Sequence, residues 1–401
     1  MLTTQRSYED YVHSRRAVKE SSPQRGHAGM SSPARRDFLR SLSALAVAAV
    51  GVPARSQARR PLRFTALGQA AIQTDLRDHP YAGFDALAKY LARSDICFTD
   101  LETPISGPAS EAPTIKTVFA KAAPPEVLDC LKVLSVNVLA LSNNHAWDFG
   151  TGGVLATLDA VKRGGFTCAG TGANRAEASM AGYRDTAAGR VALVSMASGA
   201  IRAGAAATET RAGVNEVRRD ASGELDADDR ARNLMAIRAA RTNAPYVFCY
   251  QHNHYWEKDF RVTPAWQQKW ARECIDAGAC AYISHGAPLL HGIEIYRGCP
   301  IFYDLGSFVF HTKTPVGYYP GEVWDSAIAD CVFEEGRLVA LDLVPVVLNE
   351  NGIAPDLFYE TRGRPTIAEG TDAERILARL QKLSAGLDIS RTGAIGRVVL
   401  S

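Results

Sequence analysis

From about Arg63 onward, short apolar runs alternate with amphipathic stretches, and no other feature restricts the possible folds of this chain so sharply. Phe64 to Leu67, Ile96 to Leu101, Val136 to Leu141, Val191 to Met196, Tyr246 to Tyr250 and Ala279 to Ile283 are too short for helices and read as buried strands. Between them, Phe84 to Arg93, Pro125 to Val133, Gly152 to Arg163 and Pro264 to Ala277 carry apolar residues at helical spacing, with Pro125 and Pro264 placed where a first turn accepts proline. Strands alternating with helices predict an α/β fold, a mainly parallel sheet covered by helices. Further along, Gly292 to Tyr296, Pro300 to Tyr303, Ser307 to Phe310, Asp330 to Glu334 and Leu338 to Leu348 read as antiparallel additions. Glu335-Gly336-Arg337 supplies the hairpin turn between the last two. Thr371 to Leu383 reads as a closing amphipathic helix with Thr371 and Glu374 as a capping box. Ser198 to Arg230 is rich in Ala, Gly, Arg and Asp, only weakly periodic, and is expected to be a surface insertion that could act as a lid.

The first 58 residues follow a different pattern. Arg35-Arg36 followed by Phe38-Leu39, an apolar run from Leu42 to Val52 and small residues around Ser56-Gln57-Ala58 have the layout of a twin-arginine signal peptide. Residues 1–58 are therefore expected to be an unfolded leader, with Met30 as an alternative start, and 61–401 a single folded domain. A partner in the twin-arginine export machinery and a periplasmic or cell-envelope location follow. Twin-arginine export carries proteins that have already folded, so a metal could be loaded beforehand. A net charge of +2 with 22% charged residues gives no basic footprint for nucleic acid. No stretch reaches the roughly 18 apolar residues of a spanning helix. Of the eight cysteines none forms C-x-x-C, and Cys97, Cys249, Cys280 and Cys331 sit in apolar runs. Buried thiols packed as small hydrophobes are expected, although an oxidising compartment permits disulfides.

Ligand-type side chains recur where the predicted strands end, which is where sheets of this class place their sites. They are Gly68-Gln69; Asp100-Leu101-Glu102; Ser142-Asn143-Asn144-His145 with Asp148; Gln251-His252-Asn253-His254; and Ser284-His285. A carboxylate, an amide oxygen and neutral imidazoles can together hold a divalent transition metal with a position left for water, whose proton is then lost near neutral pH. Any one of these pieces is weak, since an Asn-His pair is usually a turn and a histidine can simply close a strand. Their recurrence at one edge of the sheet is the stronger signal.

Several of these stretches also resemble a family. Ser142-Asn143-Asn144-His145-Ala146-Trp147-Asp148-Phe149-Gly150 is similar to the N-N-H-x-x-D-x-G signature of the poly-γ-glutamate capsule-synthesis (CapA-like) family, relatives of the calcineurin-like metallophosphoesterases. Phe98 to Pro104 resembles its F-x-N-L-E-x-P, and Pro300 to Phe310 its P-I-F-Y-S-L-G-N-F-I-F; Ile275 to Gly278 and His291 to Gly298 extend the likeness. The resemblance spans roughly Arg63 to Leu348 and implies a four-layer α-β-β-α sandwich of the calcineurin-like metallophosphoesterase type. It implies Glu102, Asn144, His254 and His285 as metal ligands, with His252 an alternative to His254. It also implies His145 as the group that protonates a leaving group, and Asp148 as its orienter.

Two departures qualify the likeness. Gln69 stands where the family has Asp, and Pro288 replaces the last histidine of G-H-x-P-H; in two-metal relatives those groups serve the same metal. One divalent ion (Mn, Zn or Fe) is therefore expected, with Gln69, Asp100 and His252 available to substrate. Asp304, Ser307 and His311 read as a solvated strand face, His291 as structural, and Trp147 and Trp256 as loop residues packing against the sheet edge. Lys116, Lys121, Arg211, Arg218, Arg219 and Arg261 are candidates for a lining that would receive a polyanion. The functions compatible with these features are an exported hydrolase using a metal-bound hydroxide on a phosphoester or amide of a small molecule or polyanionic polymer, and a non-catalytic capsule assembly or polyglutamate-binding factor.

Overall fold

The computed structural model of the protein describes residues 60–115 and 122–400. The leader with Arg35-Arg36, together with Lys116 and Lys121, lies outside the described residues.

The predicted alternation folds as β1 (Leu62–Ala66), β2 (Gln69–Ala71), α1 (Ala82–Leu91), β3 (Ile96–Asp100), α2 (Glu126–Val133), β4 (Val138–Ala140), α3 (Gly150–Arg163) and β5 (Thr167–Ala169). There follow β6 (Thr171–Gly172), α4 (Arg175–Ser179), β7 (Gly182–Thr186), β8 (Gly189–Ser198), β9 (Gly213–Val214), α5 (Ala227–Asn243), β10 (Tyr246–Asn253), α6 (Ala265–Asp276) and β11 (Ala281–His285). The antiparallel part comprises β12 (Ile293–Tyr296), β13 (Cys299–Phe302), β14 (Ser307–Phe310), β15 (Asp325–Glu334), β16 (Arg337–Leu348) and β17 (Pro365–Ile367). Helix α7 (Gly370–Leu383) and the hairpin β18 (Ile389–Thr392) and β19 (Ile395–Val398) complete the described chain.

Two sheets carry the fold. The first runs β18-β19-β16-β15-β1-β3-β4-β5, with β17 also on β16 and with β1, β3, β4 and β5 parallel. The second runs β12-β13-β11-β10-β8-β7, parallel from β13 to β8. Side-chain alternation along each strand separates the layers. Ile96 and Phe98 point between the sheets and Cys97 outward toward α1 and α2; Tyr246, Phe248 and Tyr250 point inward, while Val247 and Cys249 face α5 and α6. The result is the α-β-β-α sandwich of the calcineurin-like type.

The inner layer is aromatic. Phe64 of β1 stacks on Phe248 of β10 with centroids 3.7 Å apart, Phe98 meets Tyr250 at 5.4 Å, and Phe333 of β15 packs edge-on to Phe248 at 5.5 Å. Between β15 and β16 the two-residue turn Glu335-Gly336 has φ of 50° and 82°, the left-handed pair that matches strand twist in a tight hairpin.

Local details correct several expectations. Helix α7 starts at Gly370 behind Glu369 with no side-chain cap, so Thr371 and Glu374 form no capping box; Glu374 pairs with Arg391 at 3.0 Å instead. Asp304, Ser307 and His311 are all buried, which removes the solvated-face reading, because β14 pairs with β2 inside the molecule. The segment from Ser198 to Arg230 is tied down: β9 pairs with β6, Asn215 donates to Asn233 Oδ1 at 2.8 Å, and α5 begins within it. All eight cysteines are free, six of them buried. No helix among the described residues is long and apolar enough to cross a membrane.

Because Phe248 packs against two rings of the opposite sheet, Phe64 and Phe333, truncating it removes contacts that hold the sheets together. Phe248→Ala is expected to cost about 3–5 kcal/mol, measured as a lowered denaturation midpoint with the far-ultraviolet spectrum of the native state preserved.

Candidate metal and catalytic site

The inward faces of β3 and β10 continue past the aromatic layer into polar residues, in the same steps of two. After Phe98 come Asp100 and Glu102; after Tyr250 come His252 and His254. Asp100 Oδ2 lies 3.2 Å from His252 Nδ1, and the Tyr250 hydroxyl is 3.2 Å from the same nitrogen. A carboxylate only accepts, so the proton belongs on Nδ1, leaving the Nε2 lone pair turned outward. Nε2 sits 2.9 Å from Asn144 Oδ1, 3.0 Å from His254 Nε2 and 3.8 Å from Glu102 Oε1.

Asn144 and His145 reach this point on the turn between β4 and α3. Asn143 anchors that turn, donating to Asp100 Oδ1 at 3.0 Å and Leu101 O at 2.9 Å and accepting from His145 N at 3.1 Å. Gly150 closes it with φ of 66°, a left-handed conformation that favours glycine. Asp148 Oδ2 holds His145 Nδ1 at 2.8 Å and turns Nε2 toward Glu102 Oε1, 4.0 Å away. Asp148 is also in ionic contact with Arg202, whose other nitrogen donates to Thr114 Oγ1 at 3.0 Å.

A divalent cation suits this donor set. The amide oxygen, the carboxylate and His252 Nε2 are acceptors facing one another, and ligands about 2.1 Å from one ion would stand about 3.0–3.4 Å apart. One ligand atom from each of Glu102, His252 and His254 lies within 4.8 Å of the others. Charge points the same way: Asp100, Glu102 and Asp148 are buried carboxylates with one guanidinium, Arg202, against them. Burial pushes the Glu102 carboxyl above its usual range, opposed by His252 and His145. A cation would reverse that shift by favouring the charged form.

The sequence-derived candidates are thus only partly brought together. Glu102, Asn144 and His254 converge, and His145 and Asp148 form a pair beside them. His285 lies opposite His252 in the β10–β11 register, fully buried with neither ring nitrogen bonded, yet outside the tight group. Asp100 and His252 are wholly buried; each is two residues beyond an inward-facing aromatic, which puts both under the cluster. His252 belongs with the ligand-type atoms, and Asp100 orients it. Gln69 does line the cavity above Glu102. Sequence reading missed Arg202, which sits in a weakly periodic segment that gave no pattern to place it.

The cavity, of about 80 Å³, is bordered by Gln69, Glu102, Asn144, His145, His254, Trp256, Pro288, His311 and Tyr319 among others, and no Lys or Arg among the described residues lines it. Of the basic residues anticipated as a lining, the four that are described, Arg211, Arg218, Arg219 and Arg261, do not border it. Arg218 is committed to Asp229 at 2.7 Å and Arg261 to Glu322 at 2.7 Å; Arg219 lies over Trp266 and Arg211 donates to Ala206 O at 3.2 Å. Trp256 stacks on His254 with centroids 4.6 Å apart. His291 is structural, its Nε2 3.0 Å from Phe260 O.

Residues 63–312 match the family described as bacterial capsule synthesis protein PGA_cap. The uncharacterized protein y4sH of Sinorhizobium fredii is 30% identical over 80% of this chain and 88% of its own length. The capsule biosynthesis protein CapA of Bacillus anthracis is 26% identical over 68% of this chain and 62% of its own. A hypothetical protein from Thermus thermophilus overlays at a TM-score of 0.43 and 14% identity, covering 71% of this chain and 98% of that one.

Burial pushes His291 down to about 4 and His311 down to about 3, from 6.5 when unfolded. Below pH 6.5 the unfolded chain takes up protons that the folded chain refuses, so this stability is complete above 6.5 and drains as pH falls. The expected loss is roughly 1.4 kcal/mol per histidine per pH unit, read from urea midpoints between neutrality and about pH 5, with a shallower slope in His311→Asn.

Proposed function

The chain belongs to the bacterial capsule synthesis protein family, and from that premise we propose that it is an exported metal-dependent hydrolase of the cell envelope, cleaving a phosphoester or amide bond. The observation that carries the proposal is the convergence of acceptor atoms from Glu102, Asn144, His252 and His254 within reach of the His145–Asp148 pair. Glu102, His252, His254 and the Asn144 oxygen would hold one divalent ion (Mn, Zn or Fe), with buried His285 behind them. When bound, such an ion supplies a Lewis acid and brings the ionisation of a coordinated water close to neutral pH.

The chain's own groups do the rest. Asp148 keeps the proton on His145 Nδ1 and stabilises the imidazolium, so a second proton can be carried on Nε2, the atom facing Glu102. That proton is placed to go to a departing oxygen or nitrogen. Arg202 fixes Asp148 from the other side, and Asp100 fixes the tautomer of His252. A single ion is proposed because Gln69 and Pro288 border the cavity where the family resemblance calls for a carboxylate and a histidine. The same two residues support a second reading, a non-catalytic capsule or polyglutamate accessory factor. Export rests on the Arg35-Arg36 leader.

Protein purified without chelator is expected to contain one divalent metal per chain by elemental analysis. Glu102→Gln and His252→Ala should lose it. His145→Ala should keep it while hydrolysis of an aryl phosphate or an acyl anilide falls roughly 10²–10⁴-fold. Two tightly held metals would sink the single-ion site, and a metal-free protein the hydrolase; metal with neither hydrolysis, but with polyglutamate bound, would favour the accessory reading.

A further inference from the structure

Strand β10 keeps its alternation past the point where its backbone leaves the sheet. Counting in twos from Tyr250 gives His252, His254 and Trp256, and the last three rings stand in one row. The centroids of His252 and His254 are 4.9 Å apart at 30°, and those of His254 and Trp256 are 4.6 Å apart at 31°. His254 thus lies between two rings, with its Nε2 3.0 Å from that of His252. Contacts of this spacing and tilt are attractive between flat side chains. The two imidazoles differ in how they are placed. His252 is wholly buried and is turned by Asp100 and the Tyr250 hydroxyl. His254 is one step nearer the mouth and half-buried, as is Trp256.

The backbone around His254 is fixed from the other side of the sheet. His254 N donates to Ser198 O at 2.6 Å, and Gly199, with φ of 71°, passes so close that a Cβ on it would lie 2.8 Å from His254 C. What is left to set is the plane of the imidazole. Trp256 is itself held: its Nε1 donates to Asn253 O at 2.7 Å, and its ring packs against the apolar core. Asn253 accepts from Tyr255 N at 2.9 Å and donates to Gln267 Oε1 at 3.1 Å, while Gln267, on α6, donates to Ser284 Oγ at 2.8 Å. Asn253 and Gln267 are buried, so this chain of polar groups is stiff. The one indole donor is taken up by backbone, and what Trp256 presents to His254 is a rigid face. An imidazole already lying in its coordinating plane gives up less freedom when an ion arrives, which is how groups outside a ligand set raise affinity.

We propose that Trp256 is a positioning residue of the metal site: its indole face, carried on Asn253 and Gln267, sets the plane of His254 so that Nε2 points at the group formed by Glu102, Asn144 and His252. This rests on the metal-ion reading above and deepens it, by giving a residue outside the ligand set the part for His254 that Asp100 has for His252.

The test reads metal binding and not turnover. Wild type, Trp256→Leu and Trp256→Phe, each stripped with chelator and dialysed, are titrated with manganese, and the dissociation constant is taken from the paramagnetic-resonance signal of the free ion. The urea midpoint of each metal-free protein is measured beside it. Trp256→Leu is expected to weaken manganese roughly 10–100-fold. Trp256→Phe, which restores a flat ring without the Nε1 donor, is expected to recover most of that loss. Manganese affinity unchanged in Trp256→Leu, or lost equally in Trp256→Phe, would overturn the positioning role, as would midpoints that fall in both variants while the constant stays put. Should Trp256→Leu fail to fold, tryptophan emission decides: manganese is expected to quench it in the wild type and less in Trp256→Phe, and equal quenching overturns the proposal. A wild type that binds no divalent ion removes the metal site itself, so that failure is told apart from a wild type that binds tightly with an indifferent Trp256.

Discussion

The site depends on how β3 and β10 face each other across the middle of the sandwich. Both strands step outward two residues at a time from a shared aromatic layer. Phe98 against Tyr250 gives way to Asp100 against His252, and then to Glu102 and His254 at the mouth. Apolar rings exclude water from one side, so the first polar pair is fully desolvated and has to satisfy itself. Asp100 Oδ2 faces His252 Nδ1 at 3.2 Å and the Tyr250 hydroxyl bonds the same nitrogen, and together they turn Nε2 outward. A shift of one residue in either strand would exchange its inward and outward faces and dissolve the cluster.

Charge then determines what else has to be present. Asp100, Glu102 and Asp148 are buried together, and their repulsion in a poorly solvated region has to be offset by something positive. Arg202 answers for Asp148. It reaches there because β8 is followed by Gly199 and Ala200, with φ of 71° and 51°, which turn the following segment back across the site. The insertion is therefore part of the candidate site: it meets the carboxylate that holds His145. Glu102 faces His252 and His145, and burial pushes its carboxyl up against their pull, with Asp100 and Asp148 adding to the push.

The layers were legible in the sequence because buried strands and amphipathic helices leave different apolar periods, and nearly every run assigned to a strand is one. The edge of the site was half legible. Counting in twos from Phe248 puts His252 on the inward face together with Tyr250, a signal present in the sequence but not followed when His252 was offered to substrate. The burial of Asp304, Ser307 and His311 could not be read locally, since it depends on β14 pairing with β2, more than 200 residues earlier in the chain. Arg202 was invisible for the same reason. Its partner is set by a loop path, and loops carry no period. The arginines grouped as a polyanion lining were chosen by charge alone; in the fold, carboxylates, rings and backbone carbonyls take them up.

Gln69 and Pro288 look like losses when set against a two-metal pattern, but the surrounding packing argues for replacement. A site that had merely decayed would be free to fill its emptied half with apolar side chains, which stabilise a buried wall without needing partners. Here β2 instead keeps Gln69 buried with an unpaired oxygen, and β14 delivers His311 with one nitrogen bonded to backbone and the other open. Gly68 shows how tightly that delivery is fixed: a Cβ there would lie 2.4 Å from Gly306 O, so the two strands approach as only glycine allows. Polar side chains kept buried beside the cavity that Glu102 and His254 line fit a remodelled site better than one filled in by apolar replacement.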